Sequence, residues 1–120
     1  MLYEELTGKV LETCFEVINE LGLGFLESVY EKALLIALQQ KGLSVGAQVP
    51  LKVTFRGHVV GDFFADVLVE DKVIVELKAV RELLPEHQAQ VINYLKATGT
   101  EGGLLVNFGR PKLDFKRLHR

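Results

Sequence analysis

Two apolar runs of this chain each carry charge where a β-rich segment rarely tolerates it. Val59 to Val69 contains Asp66, and Lys72 to Lys78 closes on Glu76-Leu77-Lys78. Acidic and basic side chains are seldom buried in such segments without a partner. With the period-two alternation of a strand, Glu76 and Lys78 share a face and Leu77 points the other way. Two carboxylates and an ammonium gathered on a small sheet suit a hard divalent cation, with a lysine beside whatever the cation activates. The same residues also fit a plainer arrangement, a buried salt bridge between Lys78 and one of the acids. A shared site makes a demand on register. Asp66 must oppose Glu76 and Leu68 must oppose Ile74, which requires an odd loop such as Glu70-Asp71-Lys72 or a bulge in one strand.

The elements that would position these residues can be read from periodicity. Glu4 to about Leu21 predicts a helix with Leu6, Val10, Cys14, Val17, Ile18 and Leu21 on one broad apolar face, stopped by Gly22. A second helix is expected from about Leu26 to Gln40, opened by Gly24 and ended by Gly42, with Glu27 one turn inside it. Val49 to Phe55 predicts a first strand with Pro50 near its start, and Gly57 with His58 turns the chain into the second. After the third strand, Pro85 begins a helix running from about Glu86 to Thr98. Gly99, Gly102 and Gly103 break the chain before an apolar strand, Leu104 to Phe108. Gly109-Arg110-Pro111 then turns into a short last strand bearing Leu113 and Phe115. The order is α-α-β-β-β-α-β-β, an α/β (α+β) arrangement. A meander followed by a crossover helix and a returning strand gives a mixed β-sheet flanked by helices.

Size and composition bound the alternatives. A chain of 120 residues is expected to form a single domain over 1–120. With 48% hydrophobic and 25% charged residues it has the composition of a globular protein. No apolar run approaches the roughly 18 residues that span a bilayer, so no membrane partner is expected. The start, Met1-Leu2-Tyr3-Glu4-Glu5, lacks a secretory pattern, and the single Cys14 suits a reducing, cytoplasmic setting. Cys14 falls at helical spacing with Val10, Val17 and Leu21 and reads as core filling. A formal net charge of −2 does not advertise a nucleic-acid binder, but Arg110, Lys112, Lys116, Arg117 and Arg120 crowd around Asp114 in a locally basic end. That end could meet phosphates or be a solvated terminal strand.

Further polar positions gather around the Asp66/Glu76/Lys78 cluster. Glu27, Tyr30 and Leu34 fall along one helical stripe, though a glutamate in a first turn is also favoured by the helix dipole. Gln90 and Tyr94 are i,i+4 neighbours on the third helix, with His87 one turn earlier. Gly24-Phe25-Leu26-Glu27-Ser28-Val29-Tyr30 resembles the signature of the GxxExxY proteins, a group within the PD-(D/E)xK nuclease superfamily. The resemblance runs from the first helix to the Gly109-Arg110-Pro111-Lys112 turn. It departs from the superfamily pattern where Ala65 replaces the proline that names the motif.

The resemblance implies a restriction-endonuclease-like core and a Mg²⁺- or Mn²⁺-dependent hydrolase cutting phosphodiester bonds of nucleic acid, with DNA the favoured substrate. It implies a catalytic set of Glu27, Asp66, Glu76, Lys78, Gln90 and Tyr94. Asp66, Glu76 and the backbone carbonyl of Leu77 would hold the metal, with Glu27 acting through water or on a second cation. Lys78 would orient the attacking water, Gln90 would fix Lys78 or a phosphate, and Tyr94 would support Gln90. His87 is a lesser phosphate candidate. The competing readings are a non-catalytic nucleic-acid-binding module and a protein-interaction domain that kept the fold. A small nuclease cutting both strands would commonly pair, so a homodimer or larger complex is a possible assembly.

Overall fold

The computed structural model describes residues 1–120. Helix α1 (Tyr3–Leu21) is followed by α2 (Glu27–Gln40), then strands β1 (Val45–Phe55), β2 (His58–Val69) and β3 (Val73–Lys78). After them come α3 (Pro85–Thr98), β4 (Gly102–Asn107) and β5 (Asp114–His119), in the order read from periodicity. The five strands form one mixed sheet in sequence order, antiparallel except for the parallel β3–β4 pair.

That parallel pair is the centre of the molecule. Val73, Val75 and Leu77 face one layer and Ile74 the other, so β3 is buried on both sides, as a near-continuous apolar strand must be. On the first side, α1 and α2 contribute Leu6, Val10, Cys14, Tyr30, Leu34 and Leu38. On the second, α3 contributes Val91 and Leu95 against Ala65, Ile74 and Leu105. Each large aliphatic side chain so buried is worth about 1.5–3 kcal/mol. Cys14 is fully buried, and burial pushes its thiol up to about 12, so it fills the core as an unreactive group.

The hairpins set the register. A two-residue Arg56-Gly57 turn, with φ of 51° and 80°, joins Phe55 to His58 in the left-handed geometry that tight hairpins require. His58 is therefore the first residue of β2 and lies outside the turn. The second hairpin has the odd loop that a shared site demands. Glu70-Asp71-Lys72 joins Val69, paired with Val73, and Leu68 opposes Ile74.

Other boundaries differ from the pattern reading. β1 begins at Val45 instead of Val49, so Pro50 lies within the strand; β1 is at the sheet edge, where a missing N–H is tolerated. Gly102 and Gly103 are buried inside β4 and do not interrupt it. A Cβ on Gly102 would strike the Tyr3 hydroxyl, and one on Gly103 would lie 2.8 Å from the Ile74 carbonyl oxygen. These glycines let α1 and the neighbouring strand approach closely. The strand is not apolar throughout either: Asn107 is fully buried at its end.

Candidate active site

Beyond Val67 and Val75 the β2–β3 ladder stops, and side chains take over its hydrogen bonds. The Asp66 N–H donates to Glu76 Oε1 at 3.2 Å, and the Leu77 N–H donates to Asp66 Oδ2 at 2.9 Å. Asp66 is directed into this position by a break in the pleat. Ala65 packs on the α3 side while Val67, two residues on, packs on the α1–α2 side. The neighbouring strand breaks at the same level: Val49 and Leu51 pack against the α3-side cluster, whereas Val45 packs against the other. Between them, Gln48 has a φ of 49°.

Glu76 continues the face of Ile74, towards α3. It is 6% exposed. Burial pushes its carboxyl up to about 8; the Asp66 charge and side-chain hydrogen bonding to Asp66 raise it further, while the Asp66 backbone N–H and Lys78 oppose them only in part. Lys78 is half-buried on the same face and takes part in no ion pair; the two salt bridges both join Lys41, to Glu12 and Glu16. The buried Lys78–carboxylate bridge that the sequence left open is therefore not formed.

Glu27 reaches the same place from the other layer. It is the first residue of α2, not one turn inside, and its Oε1 accepts the Ala79 N–H at 3.2 Å. Leu77 and Ala79 thus present their amides to Asp66 and Glu27, on the edge of β3 that faces away from β4. The Leu77 carbonyl, on the same side as its own amide, lies between those two contacts. Lys78, one residue out of phase, points its carbonyl to Phe108 in the opposite direction.

On α3, Tyr94 is half-buried and stacked on Phe63 with ring centroids 3.8 Å apart and an interplanar angle of 15°. Burial raises its phenol, and the Glu76 and Asp66 charges raise it further while the Gln90 side chain opposes them. Gln90 is exposed and stands beside Tyr94, with no hydrogen bond to Lys78. His87 caps its own helix: its Nδ1 accepts the Leu84 N–H at 3.0 Å. A groove of about 490 Å³ lined by Val53, Phe63, Asn93, Tyr94, Lys96 and Ala97 opens beside the aromatic pair.

Two residues behind this cluster have a structural role that the sequence reading does not assign them. Asn107 Oδ1 accepts the Val80 and Gly109 N–H groups, each at 3.0 Å, and its Nδ2 donates to the Val80 carbonyl at 2.9 Å. It thereby ties down the chain that leaves β3 after Lys78. Tyr30, fully buried, donates its hydroxyl to the Gly22 carbonyl at 2.6 Å and stacks on Phe108. An asparagine inside an apolar run is a legible signal for the first, and its bond to Gly109 is a local turn contact; nothing local marks Val80 as its other partner or Gly22 as the partner of Tyr30.

The donors converging here are hard oxygens. No three His, Cys, Asp or Glu side chains lie close enough together to form a metal cage. Mg²⁺ asks for less, commonly one or two carboxylates with water in its remaining positions. Asp66, Glu76 and the Leu77 carbonyl fit that requirement.

A family model for the PD-(D/E)XK nuclease superfamily matches residues 4–118. The chain belongs to that superfamily. No curated protein matches the sequence significantly. Among solved structures, the crystal structure of SSO0001 is similar with a TM-score of 0.63 and 18% identity, over 78% of this chain and 50% of that one. At this identity the likeness concerns fold alone, and it supports the restriction-endonuclease-like architecture. The chain spans half the length of SSO0001. Superfamily members usually hydrolyse phosphodiester bonds and typically use divalent metals, which makes nucleic acid the suggested partner. No helix of this superfamily member is long and apolar enough to cross a membrane.

Only part of the basic end lies near the cluster. Because β3 and β4 are parallel, with Lys78 beside Asn107, Arg110 and Lys112 follow β4 at the same end of the sheet as the carboxylates. Lys116 and Arg117 lie level with Glu76 and Val75 but two strands away, through Leu105 and Leu104, and His119 pairs with Gly102 at the opposite end.

Proposed function

We propose that this chain is a Mg²⁺- or Mn²⁺-dependent nuclease of the GxxExxY group, acting on DNA through Asp66, Glu76 and Lys78. The observation that carries the reading is the end of the β2–β3 hairpin. Two carboxylates meet there through exchanged backbone hydrogen bonds, beside a lysine that forms no ion pair. Asp66, Glu76 and the Leu77 carbonyl would hold a divalent cation, with Glu27 acting through water, and that cation would supply Lewis-acid polarisation of the phosphodiester and of water. Lys78 orients the attacking water and stabilises the charge that develops on the phosphate. Tyr94 and Gln90 border the approach, Arg110 and Lys112 meet the backbone at the same end, and the groove beside Tyr94 adds Lys96 as a further phosphate contact.

A second reading, a nucleic-acid-binding module without turnover, is favoured by one fact. Asp66 and Glu76 each already accept a backbone N–H and need no metal to be satisfied. A cleavage screen with Mn²⁺ over circular and linear, single- and double-stranded substrates separates the two. Cleavage dependent on Mn²⁺ and lost in Glu76→Ala supports the nuclease. Binding of nucleic acid without cleavage, unchanged in Glu76→Ala, supports the module.

A further inference from the structure

We propose that Gln48 is a positioning residue for Asp66, with Glu31 as its anchor; this rests on the nuclease reading of the Asp66 site. The Gln48 Nε2 amide donates to Glu31 Oε1 at 3.0 Å and to Asp66 Oδ1 at 3.3 Å. One side chain thus joins α2, β1 and β2. Each of its two amide protons is used, and each carboxylate receives a neutral donor in place of its neighbour's charge. The Leu77 N–H fixes only Oδ2 of Asp66, about which the carboxylate can still swing. Gln48 fixes the other oxygen, so the two contacts together define the carboxylate's direction.

The backbone supports this role. Four residues other than glycine have positive φ: Gln48, Arg56, Glu70 and Asp71. The last three form the two hairpin loops, where chain reversal demands that geometry. Gln48 alone lies within a strand, at the level where both β1 and β2 change faces. Its strained conformation aims the amide at the two acids, and strain of this kind persists where a functional contact is held in place. Glu31, four residues after Glu27, takes its place on the same helical stripe.

The test has a metal-free arm and a metal arm. Glycine adopts a φ of 49° without strain, so Gln48→Gly keeps the backbone conformation while removing both side-chain hydrogen bonds. The metal-free readout is Asp66 χ1 from three-bond proton couplings. Positioning predicts one rotamer in wild type and averaging in Gln48→Gly. Gln48→Asn tolerates the backbone but is one methylene too short to bridge, so it gives the same averaging even if the glycine variant folds poorly. A single retained rotamer in both variants overturns the proposal.

In the metal arm, calorimetry with Mn²⁺ shows affinity falling about tenfold or more in Gln48→Gly, the usual effect of losing a group that orients a ligand. Glu31→Gln keeps the acceptor and stays near wild type, whereas Glu31→Ala falls with Gln48→Gly. Equal losses in Glu31→Gln and Glu31→Ala would make Glu31 a charged ligand and overturn its assignment as anchor. If wild type binds no Mn²⁺, the nuclease reading fails on its own, and the rotamer measurement still decides the role of Gln48.

Discussion

Asp66 and Glu76 complete each other's strand: the Asp66 amide is bound by the Glu76 carboxylate, and the amide following Glu76 is bound by the Asp66 carboxylate. This exchange brings two acids together in a half-dry site with a single nearby lysine. Such an arrangement costs free energy when both acids are charged, and the metal-free protein relieves that cost by keeping Glu76 protonated.

The first prediction concerns pH and stability. Glu76 titrates near 8 in the folded chain against 4.5 for an unperturbed glutamate, so the folded state binds the extra proton between those values. The associated stability is fully present below about 4.5 and is lost as pH rises through 8, on the order of a few kcal/mol across the range. Glu76→Gln keeps an acceptor for the Asp66 amide and removes the titration. Metal-free melting temperatures should therefore fall from pH 5 to 9 in wild type and stay nearly flat for this group in the variant. Parallel pH curves for the two proteins would contradict the assignment.

Metal binding should displace that proton. At pH 7, Mn²⁺ binding is expected to release about one proton per cation, because a ligating carboxylate must be ionised. Calorimetry in buffers of different ionisation enthalpy reads the number directly. Release should vanish in Glu76→Gln and decline in wild type above pH 8.

Lys78 and Asp66 should fail differently. Lys78 has no ion pair to lose, so Lys78→Ala should change stability by less than about 0.5 kcal/mol. Its Mn²⁺ affinity should stay near wild type while cleavage slows by about 10²–10⁴-fold. Asp66→Ala should weaken Mn²⁺ binding itself. Equal loss of binding in both variants would refute the division of roles.

Asn107 gives a stability prediction away from the chemistry. Asn107→Ala removes three hydrogen bonds and leaves part-buried Val80 and Gly109 backbone groups unpartnered, a cost of about 1–3 kcal/mol in urea denaturation. Gly109→Ala should be similarly harmful, because its Cβ would collide with the Val80 backbone.

Tyr30 separates the two halves of the Gly24–Tyr30 stretch. Tyr30→Phe removes the hydroxyl that binds the Gly22 carbonyl, costing about 1–2 kcal/mol with Mn²⁺ affinity unchanged. Glu27→Gln retains an acceptor for the Ala79 amide, so its stability should stay within about 0.5 kcal/mol while Mn²⁺ affinity drops modestly.

The sequence by itself determined the order of elements and the apolar faces, and it stated the hairpin register as a condition that the structure then met. Those follow from short-range physics: the 3.6 and 2.0 periodicities, the chirality of tight turns, and the parity that makes Asp66 and Glu76 meet across a three-residue loop. It also made Glu27, Asp66, Glu76 and Lys78 visible, because charge within or beside apolar runs stands out in a linear string. Only the tertiary structure decided where their hydrogen bonds go. Glu27 finds its amide at Ala79, 52 residues away, and Asn107 finds Val80 across 27. Gln48 looks like an ordinary polar residue before an edge-strand proline until the pleat breaks beneath it and turns its amide onto two carboxylates from different elements. Backbone groups left unpaired where a ladder ends must be satisfied by whatever side chain the fold brings past them, and no local spacing encodes that meeting.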